Sequence, residues 1–386
     1  MAKRIAILGS TGSIGKNALR VIQALGSEYR VAALSAHNNF ELLIAQAREF
    51  RPAYVALTGE ENQRQFRREL SGLNIEVLTG PESLVRLAQL DEVDTVLTAV
   101  VGAAGLPAVL AAAQKGKTLA IANKEPLVIA GELLMKAAAQ NGATILPVDS
   151  EHSAVFQAMQ AGSHDEVNKI ILTASGGPFR NATRQQIEEA TIEDALAHPT
   201  WNMGPKITID SATMMNKALE VIEAHWLFKM PVDKIDVMVH PESIVHSFVE
   251  FVDGSVVAQL GTPDMCLPIQ YALTYPRRLK GIANHLKLEE LGKLTFAKPD
   301  LHIFRALAVG FEVARTGGSA PVVFNAANEA AVQEFLAGRI KFSTIVELIE
   351  HCLDKHTVCP SISLEELLEA DAWARKEVIE CLKQKV

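Results

Sequence analysis

The chain has 386 residues, of which 48% are hydrophobic and 21% are charged, a composition typical of globular proteins with two or three domains. Its formal net charge is −8 and it contains no dense run of Lys or Arg, which argues against nucleic acid or an anionic membrane as the main partner. No stretch reaches the roughly 18 apolar residues of a membrane span. The sequence also enters a strand pattern at once, so we expect no signal or transit segment. Its four cysteines lack C-x-x-C spacing, so we expect reduced thiols in a cytoplasmic protein.

A glycine-rich loop follows the first predicted strand. Residues 3–8 form a short predicted strand with an apolar run at 5–8, the loop reads Gly9-Ser-Thr-Gly-Ser-Ile-Gly15, and residues 16–25 have helical periodicity. Glycines allow a pyrophosphate to approach the backbone, and the N-terminus of the helix offers free N–H donors. The spacing is G-x-x-G-x-x-G, so the alternative is a plain tight turn in an α/β unit. In this context the loop predicts a dinucleotide site.

The end of the second predicted strand bears on cofactor choice. This strand covers residues 30–35 and leads into His37, Asn38 and Asn39. Sites specific for NAD usually place an acidic residue there, where it binds the ribose diol. No acid is present, and imidazole and amide groups can donate to a 2′-phosphate. The pattern therefore favours NADP, with these three residues near the cofactor.

Strands and helices continue to alternate through the first part of the chain. Strands are predicted over residues 53–57, 75–78, 95–101 and 117–122, with a helix over 102–113. Such alternation predicts a doubly wound parallel sheet over residues 1–147.

Two polar groups follow predicted strands of this sheet. Asn123, Lys124 and Glu125 come after one of them, at the edge where such sheets bind ligands, although a solvated loop is the alternative. Asp149 and Glu151 follow another, and if the chain stays extended both carboxylates point to one face. Two such carboxylates repel each other unless a cation lies between them, and a divalent metal prefers oxygen ligands. The alternative is a solvated strand end.

Two further segments suggest ligand contacts. Residues 168–174 form a predicted strand that ends in Ser175-Gly-Gly-Pro, a turn suited to an anion, or simply a turn that ends the strand. The segment 198–206 contains two prolines, a glycine and a tryptophan. This punctuation predicts a lid over residues 198–208, unless the tryptophan is packed in the core.

A long helix is predicted next, capped by Asp210 or Ser211. Asn216 and Glu220 are four residues apart and Lys217 and Glu220 three apart, so the three polar groups share one side. The alternative is a surface salt bridge between Lys217 and Glu220.

The rest of the chain predicts a second sheet and a helical tail. Strands are expected over 235–239, 244–251 and 255–260, and Asp253-Gly254 predicts a hairpin between the last two. His246 is expected to be packed. We predict three domains: a Rossmann-like parallel sheet in residues 1–147, a central α/β domain with a mixed sheet in 148–290, and a linker with a small helical domain in 291–386.

Several of these motifs together resemble one known family. Residues 9–15, 122–125, 147–152, 173–179 and 198–220 are similar to 1-deoxy-D-xylulose 5-phosphate reductoisomerases, and the resemblance covers essentially the whole chain. The block 208–220 is its most specific part. The resemblance implies a homodimeric enzyme that uses NADPH and one divalent cation (Mg²⁺, Mn²⁺ or Co²⁺). It would convert 1-deoxy-D-xylulose 5-phosphate to 2-C-methyl-D-erythritol 4-phosphate, the committed step of the non-mevalonate isoprenoid pathway, by a retro-aldol/aldol route or a concerted ketol shift.

The resemblance also implies roles for individual residues. It assigns the metal to Asp149, Glu151 and Glu220, which with Lys124 form the catalytic group. It assigns the substrate to these residues: Lys124, Ser150, Glu151, Ser175, His198, Ser211, Asn216, Lys217 and Glu220. It assigns the cofactor to Thr11, Gly12, Ser13, Ile14, Asn123, Glu125 and Gly204. One departure is that the family commonly has Gly followed by Lys or Arg where this chain has His37-Asn38.

Two other functions compete with this interpretation. A semialdehyde dehydrogenase would need a catalytic cysteine, and Cys266 is the only cysteine before the helical tail, without a histidine or base motif beside it. A non-catalytic nucleotide-binding sensor would need neither three carboxylates nor a lid.

Overall fold

The structure is a computed structural model that describes residues 2–201, 203–360 and 363–384. The strands are β1 (Lys3–Leu8), β2 (Tyr29–Ala36), β3 (Tyr54–Leu57), β4 (Glu76–Thr79), β5 (Thr95–Thr98), β6 (Thr118–Ile121), β7 (Thr144–Pro147), β8 (Val167–Ala174), β9 (Ile235–Val239), β10 (Val245–Phe251) and β11 (Val256–Leu260). The helices are α1 (Ser13–Leu25), α2 (Phe40–Phe50), α3 (Gln63–Glu69), α4 (Ser83–Gln89), α5 (Leu106–Gln114), α6 (Glu125–Asn141), α7 (Ser150–Ala158), α8 (Arg184–Glu188), α9 (Ile192–Leu196), α10 (Pro205–Ala212), α11 (Met215–Phe228), α12 (Cys266–Thr274), α13 (Leu288–Leu291), α14 (Arg305–Thr316), α15 (Ala320–Leu336), α16 (Thr344–Lys355) and α17 (Leu364–Gln384). Within the described ranges, no helix is long and apolar enough to cross a membrane.

The chain forms two compact units. The first contains residues 1–126, 132–153 and 264–284. The second contains residues 127–131, 154–263 and 285–386.

A seven-stranded parallel sheet forms the centre of the first unit. Its strand order is β4-β3-β2-β1-β5-β6-β7, and every neighbouring pair is parallel. Residues 5–8 of β1 are completely buried, as expected for a strand covered on both faces. The chain leaves β1 toward β2 on one side and returns to β5 on the other, so the carboxyl end of β1 is the switch point of the sheet. The predicted doubly wound parallel sheet is confirmed.

Helix α12, which was not predicted from the sequence, returns to the first unit late in the chain. It packs on α1, where the Arg20 guanidinium lies 3.9 Å from the buried Cys266 sulfur. The ammonium group of Lys3 also donates a hydrogen bond of 2.8 Å to the Leu273 carbonyl. The first unit is therefore completed by residues that are distant from it in sequence.

The second unit contains a mixed four-stranded sheet. Its order is β11-β10-β8-β9, with β8 and β9 parallel and the other pairs antiparallel. The predicted hairpin joins β10 and β11, and Gly254 has the positive φ of 85° that its turn requires. His246 is buried, as expected.

Helices α14 to α17 form the predicted helical tail and pack on α11 and on one another. Gly310 of α14 lies so close to α11 that a Cβ placed on it would be 2.4 Å from the Ala218 Cβ. A capping box starts α17, because the Ser363 amide donates to Glu366 Oε2 at 2.7 Å and the Glu366 amide to Ser363 Oγ at 3.3 Å.

The long helix predicted from Asp210 or Ser211 is in fact two helices, so that prediction is wrong. Both residues lie in the last turn of α10. Met214 then adopts a left-handed conformation with φ of 62°, which an α-helix cannot contain. The Thr213 hydroxyl bonds to the Ile209 carbonyl and accepts the Met215 amide, so it ends one helix and starts the next.

We predict that Gly310→Ala destabilises the protein by about 1–3 kcal/mol through overpacking. The added methyl group would overlap the methyl group of Ala218. Equilibrium urea unfolding measures the loss. The double variant Gly310→Ala/Ala218→Gly moves the methyl group from one helix to the other, and we expect it to recover much of the stability. Equal stability of the Gly310→Ala variant and the unmodified protein would contradict the close contact.

Candidate active site

The glycine loop is tightly folded except at its centre. Gly9 has a φ of 89°, and a Cβ placed on it would lie 2.4 Å from the Ala99 carbonyl oxygen. A Cβ on Gly15 would lie 2.4 Å from the Gly9 carbonyl oxygen. Gly12 is exposed and no side chain within the described ranges caps α1 there. Thr11, Gly12, Ser13 and Ile14 therefore present an uncapped helix N-terminus, which favours an anion.

Ser10 has a structural role that the sequence analysis did not identify. Its buried hydroxyl donates to Gln46 Oε1 at 2.7 Å, and Gln46 Nε2 donates to the Ser10 carbonyl at 3.0 Å. The Gly9 amide donates to Ser35 Oγ at 3.0 Å. These bonds fix the loop to α2 and β2, so its conformation is set before any ligand binds.

The three residues after β2 have different surroundings. His37 and Asn38 are exposed, and Nδ1 of His37 lies 2.9 Å from the Thr58 hydroxyl. Asn39 caps α2 instead, with its Oδ1 accepting the Leu42 amide at 3.1 Å. His37 and Asn38 are thus accessible at the carboxyl edge of the sheet, while the side-chain oxygen of Asn39 is already used.

The segment after β6 is buried, so the alternative of a solvated loop is wrong. Asn123, Lys124 and Glu125 are only 8%, 6% and 6% exposed. Within the described ranges, neither polar atom of the Asn123 amide has a hydrogen-bond partner. Burying an amide without partners costs free energy, and a ligand that offers both a donor and an acceptor removes that cost.

Asp149 and Glu151 lie at the start of a helix, so the expectation of an extended chain is wrong. Asp149 caps α7, because its Oδ1 accepts the Glu151 amide at 3.1 Å. The two carboxylates still come together, with an oxygen of each within 4.8 Å of the other. The ammonium group of Lys124 lies 3.0 Å from Asp149 Oδ2, and the Ser150 hydroxyl donates to Glu151 Oε2 at 2.5 Å.

His152 is a further member of this group that had no predicted role. Its ring is fully buried and Nδ1 lies 3.2 Å from Asp149 Oδ1. In a helix capped by Asp149, the third residue along returns to the side of the cap. Sequence reasoning that assumed an extended chain could not place it there.

In the second unit, the turn after β8 lies directly on α10. Gly176 and Gly177 have φ of 80° and 63°. A Cβ on Gly177 would lie 2.6 Å from the Ser211 carbonyl oxygen, so only glycine permits this approach. The turn that carries Ser175 and the helix that carries Ser211 are therefore adjacent. Ser211 was predicted at the start of a helix, where the helix dipole would favour an anion. It lies instead in the last turn of α10, where the dipole does not favour one.

His198 connects the segment before α10 to the same turn. Nδ1 accepts the amides of Thr200 at 3.2 Å and Trp201 at 2.9 Å, so the neutral ring carries its proton on Nε2. That proton is donated to Ser175 Oγ at 3.0 Å. Burial, and secondarily the charge of Arg180, lower the pKa of His198 below its usual value of 6.5.

The predicted lid is partly helical. α10 begins at Pro205, with exposed Gly204 as its N-cap residue, so residues 205–208 belong to a helix. Trp201 is half-buried, and Asn202 lies outside the described residues. The movement of the segment stays a prediction.

The polar side of α11 is buried, so the alternative of a surface salt bridge is wrong. Lys217 and Glu220 are 3% and 0% exposed. Glu220 accepts hydrogen bonds at Oε1 from Asn216 and at Oε2 from Lys217. A carboxylate has about four acceptor positions, so Glu220 can also bind a cation.

Cys266 is poorly suited to act as a nucleophile, which argues against the dehydrogenase interpretation. It is 1% exposed. Burial, followed by Asp264, raises its pKa to about 11, whereas nucleophilic attack requires the thiolate.

We predict that the segment 198–201 opens as the pH falls. Because the pKa of His198 is lower than 6.5 in the folded segment, the folded segment prefers the neutral ring. This stabilisation is complete above about pH 6.5 and is lost as the pH falls through the folded-state pKa, when Nδ1 can no longer accept the two amides. Hydrogen exchange of the Trp201 amide, corrected for its intrinsic rate, should accelerate over that range. The His198→Asn variant keeps an acceptor but does not titrate, so an identical pH dependence in it would contradict the prediction.

Three models of one family match most of the chain. The model described as 1-deoxy-D-xylulose 5-phosphate reductoisomerase matches residues 5–131. Its C-terminal domain model matches residues 145–228, and a second model, described as DXP reductoisomerase C-terminal domain, matches residues 260–377.

Relatives and solved structures of that family resemble the chain over its full length. The 1-deoxy-D-xylulose 5-phosphate reductoisomerase of Halothermothrix orenii is 48% identical over 384 residues, covering 100% of both chains. That of a Geobacillus species is 51% identical and covers 97% of this chain and 99% of the relative. The structure of the Zymomonas mobilis enzyme in complex with NADPH has a TM-score of 0.94 at 41% identity, covering 99% of each chain. A DOX-P reductoisomerase in complex with NADPH, fosmidomycin and magnesium also gives 0.94, at 43% identity and 99% and 98% coverage. On its motifs, fold and full-length similarity, the chain belongs to the 1-deoxy-D-xylulose 5-phosphate reductoisomerase family.

Proposed function

We propose that the residues described above carry out the reaction of this family. The chain is an NADPH- and divalent-metal-dependent oxidoreductase that converts 1-deoxy-D-xylulose 5-phosphate to 2-C-methyl-D-erythritol 4-phosphate in isoprenoid biosynthesis. The observation that carries the assignment of residues is the buried polar side of α11, where Lys217 and Glu220 offer an ammonium group and a carboxylate from adjacent turns.

Asp149, Glu151 and Glu220 are proposed to hold the divalent cation. Carboxylate oxygens are the hard ligands that Mg²⁺ and Mn²⁺ prefer, so the donor set fits the group. A bound cation supplies Lewis acidity that stabilises negative charge on the substrate oxygens as the carbon skeleton rearranges. The cap and the Lys124 ion pair fix the direction in which Asp149 points, and the Ser150 hydroxyl does the same for Glu151. Lys124 also offers donors to a substrate hydroxyl.

The substrate phosphate is proposed to bind at Ser175, Ser211, Asn216 and Lys217, with His198 supporting Ser175. The close contact at Gly177 brings the turn that carries Ser175 against the helix that carries Ser211, and Lys217 supplies a full positive charge. Neutral His198 donates to Ser175 Oγ, which leaves the serine proton available to a phosphate oxygen. Because Lys217 and Glu220 share a helix, the phosphate anchor and one metal ligand are held at a fixed separation.

NADPH is proposed to bind at the carboxyl edge of the parallel sheet. The uncapped start of α1, at Thr11, Gly12, Ser13 and Ile14, suits its pyrophosphate, and exposed His37 and Asn38 suit its 2′-phosphate. The unpartnered amide of Asn123 fits a carboxamide, which offers one donor and one acceptor group. We also assign Asn39, Glu125 and Gly204 to cofactor contacts. Bound NADPH supplies the hydride that reduces the rearranged aldehyde.

The larger assembly is also part of the proposal. We propose a cytoplasmic homodimer with no nucleic acid or membrane partner. We retain the three domains 1–147, 148–290 and 291–386, and a lid over 198–208 of which residues 198–204 form the movable part. Half-buried Trp201 would then exclude water from the reacting groups.

Asp149→Asn should lose about a hundredfold or more of kcat/KM, since several kcal/mol of charge stabilisation depends on the cation. Oxidation of NADPH with 1-deoxy-D-xylulose 5-phosphate, followed with and without a chelator, tests the function and the metal together. The affinity of the variant for NADPH, measured from the fluorescence of NADPH, should be nearly unchanged. Full activity of the variant in the presence of chelator would contradict the metal assignment.

Lys217→Ala should raise the KM for the sugar phosphate and lower kcat/KM by roughly ten- to a hundredfold, the effect of losing a charge-assisted contact worth about 1.5–3 kcal/mol. The KM for NADPH should hardly change. Lys229→Ala, which removes an exposed lysine at the end of the same helix, is the matched control and should behave like the unmodified enzyme. A weakened affinity for NADPH with an unchanged KM for the sugar phosphate would place α11 in the cofactor site instead.

A further inference from the structure

Helix α10 is joined to the C-terminal helices by a hydrogen bond between two buried side chains. Nδ2 of Asn328, on α15, donates to Oδ1 of Asp210 at 2.9 Å. The two residues are 0% and 1% exposed. The other carboxylate oxygen, Oδ2, lies 2.6 Å from the ammonium group of Lys206, one turn earlier in α10. Asp210 therefore connects the first turn of α10, its last turn and the helical tail.

Stability is a weak explanation for a polar connection between these two helices. Burying a carboxylate costs free energy, and apolar side chains of similar volume commonly stabilise a helix contact equally well. A buried hydrogen bond is directional. The amide nitrogen of Asn328 must face Asp210, so the bond favours one rotation of α10 about its axis and one position of α10 along α15.

The rotation of α10 matters because of the residue that follows Asp210. Ser211 lies against the Gly177 turn at a distance that leaves no room for a Cβ, and that turn also carries Ser175. A small rotation of α10 would separate the two serines or force the turn to move. The position of Ser211 is therefore fixed from one side by the turn and from the other by Asn328.

We propose that Asn328 is a positioning residue for sugar-phosphate binding, acting through Asp210. It is not among the residues assigned to the phosphate or the cofactor, and its effect is to hold α10 so that Ser211 stays against the turn that carries Ser175. This inference rests on the proposed function, because it takes these two serines as phosphate contacts. It gives the helical tail a direct part in substrate affinity.

The test compares two buried asparagines on one helix. Asn328→Ala should raise the KM for 1-deoxy-D-xylulose 5-phosphate about tenfold and lower kcat several-fold, since misplacement of a binding group by about 1 Å is enough for such losses. The KM for NADPH should stay within about twofold. The matched control is Asn325→Ala: Asn325 is also 0% exposed, but the hydrogen bond that its amide donates goes to Glu329 on the same helix and not to Asp210. It should leave both KM values within about twofold, whatever its effect on the melting temperature.

A conservative variant separates positioning from folding. In Asp210→Asn the side chain can still accept the bond from Asn328, so its KM for the sugar phosphate should rise less than in Asp210→Ala. Equal KM increases in Asn328→Ala and Asn325→Ala would overturn the proposal, as would an unchanged KM in Asn328→Ala. An unmodified enzyme that does not turn over the sugar phosphate would instead refute the proposed function, and it is assayed first.

Discussion

The candidate site depends on the close approach of two backbones at Gly177. The glycine turn after β8 rests on the last turn of α10 with a separation that excludes even a methyl group. This contact places the turn that carries Ser175 against the helix that carries Ser211. It also couples the positions of the turn and the helix, because a shift of either one toward the other would make their backbones clash. The hydrogen bond from His198 then holds the turn at Ser175, and the hydrogen bond from Asn328 holds the helix at Asp210.

Several buried charged side chains lie where the chemistry is assigned. Lys124, Lys217 and Glu220 are each less than a tenth exposed, although charged residues are rarely buried without partners. Each of them is paired with an opposite charge. Such pairs contribute little net stability once desolvation is included, so they are better understood as fixed charges that need no reorganisation when a substrate arrives.

Much of this arrangement was predictable from the sequence, because local patterns determine it. The alternation of strands and helices gave the parallel sheet, the Asp-Gly pair gave the hairpin, and the glycine loop was found from its position between β1 and α1. Predictions failed where a single side chain redirects the backbone. Asp149 starts a helix by capping it, and Thr213 and Met214 divide what periodicity presents as one helix. Contacts distant in sequence, such as that between Asn328 and Asp210, leave no periodic signal at all.

Because α12 returns to the first unit, the folding of that unit during synthesis is delayed. The hydrogen bond between Lys3 and Leu273 joins residues that are 270 positions apart in the sequence, and the contact between Arg20 and Cys266 joins residues that are 246 positions apart. A nascent chain emerges from the ribosome N-terminus first, yet the first unit cannot complete its packing until residues 264–284 have emerged. By then β8 to β11 have all been synthesised. The first unit therefore cannot finish packing once its parallel sheet has emerged, and its partly packed form must persist while roughly a hundred further residues are added at the ribosome.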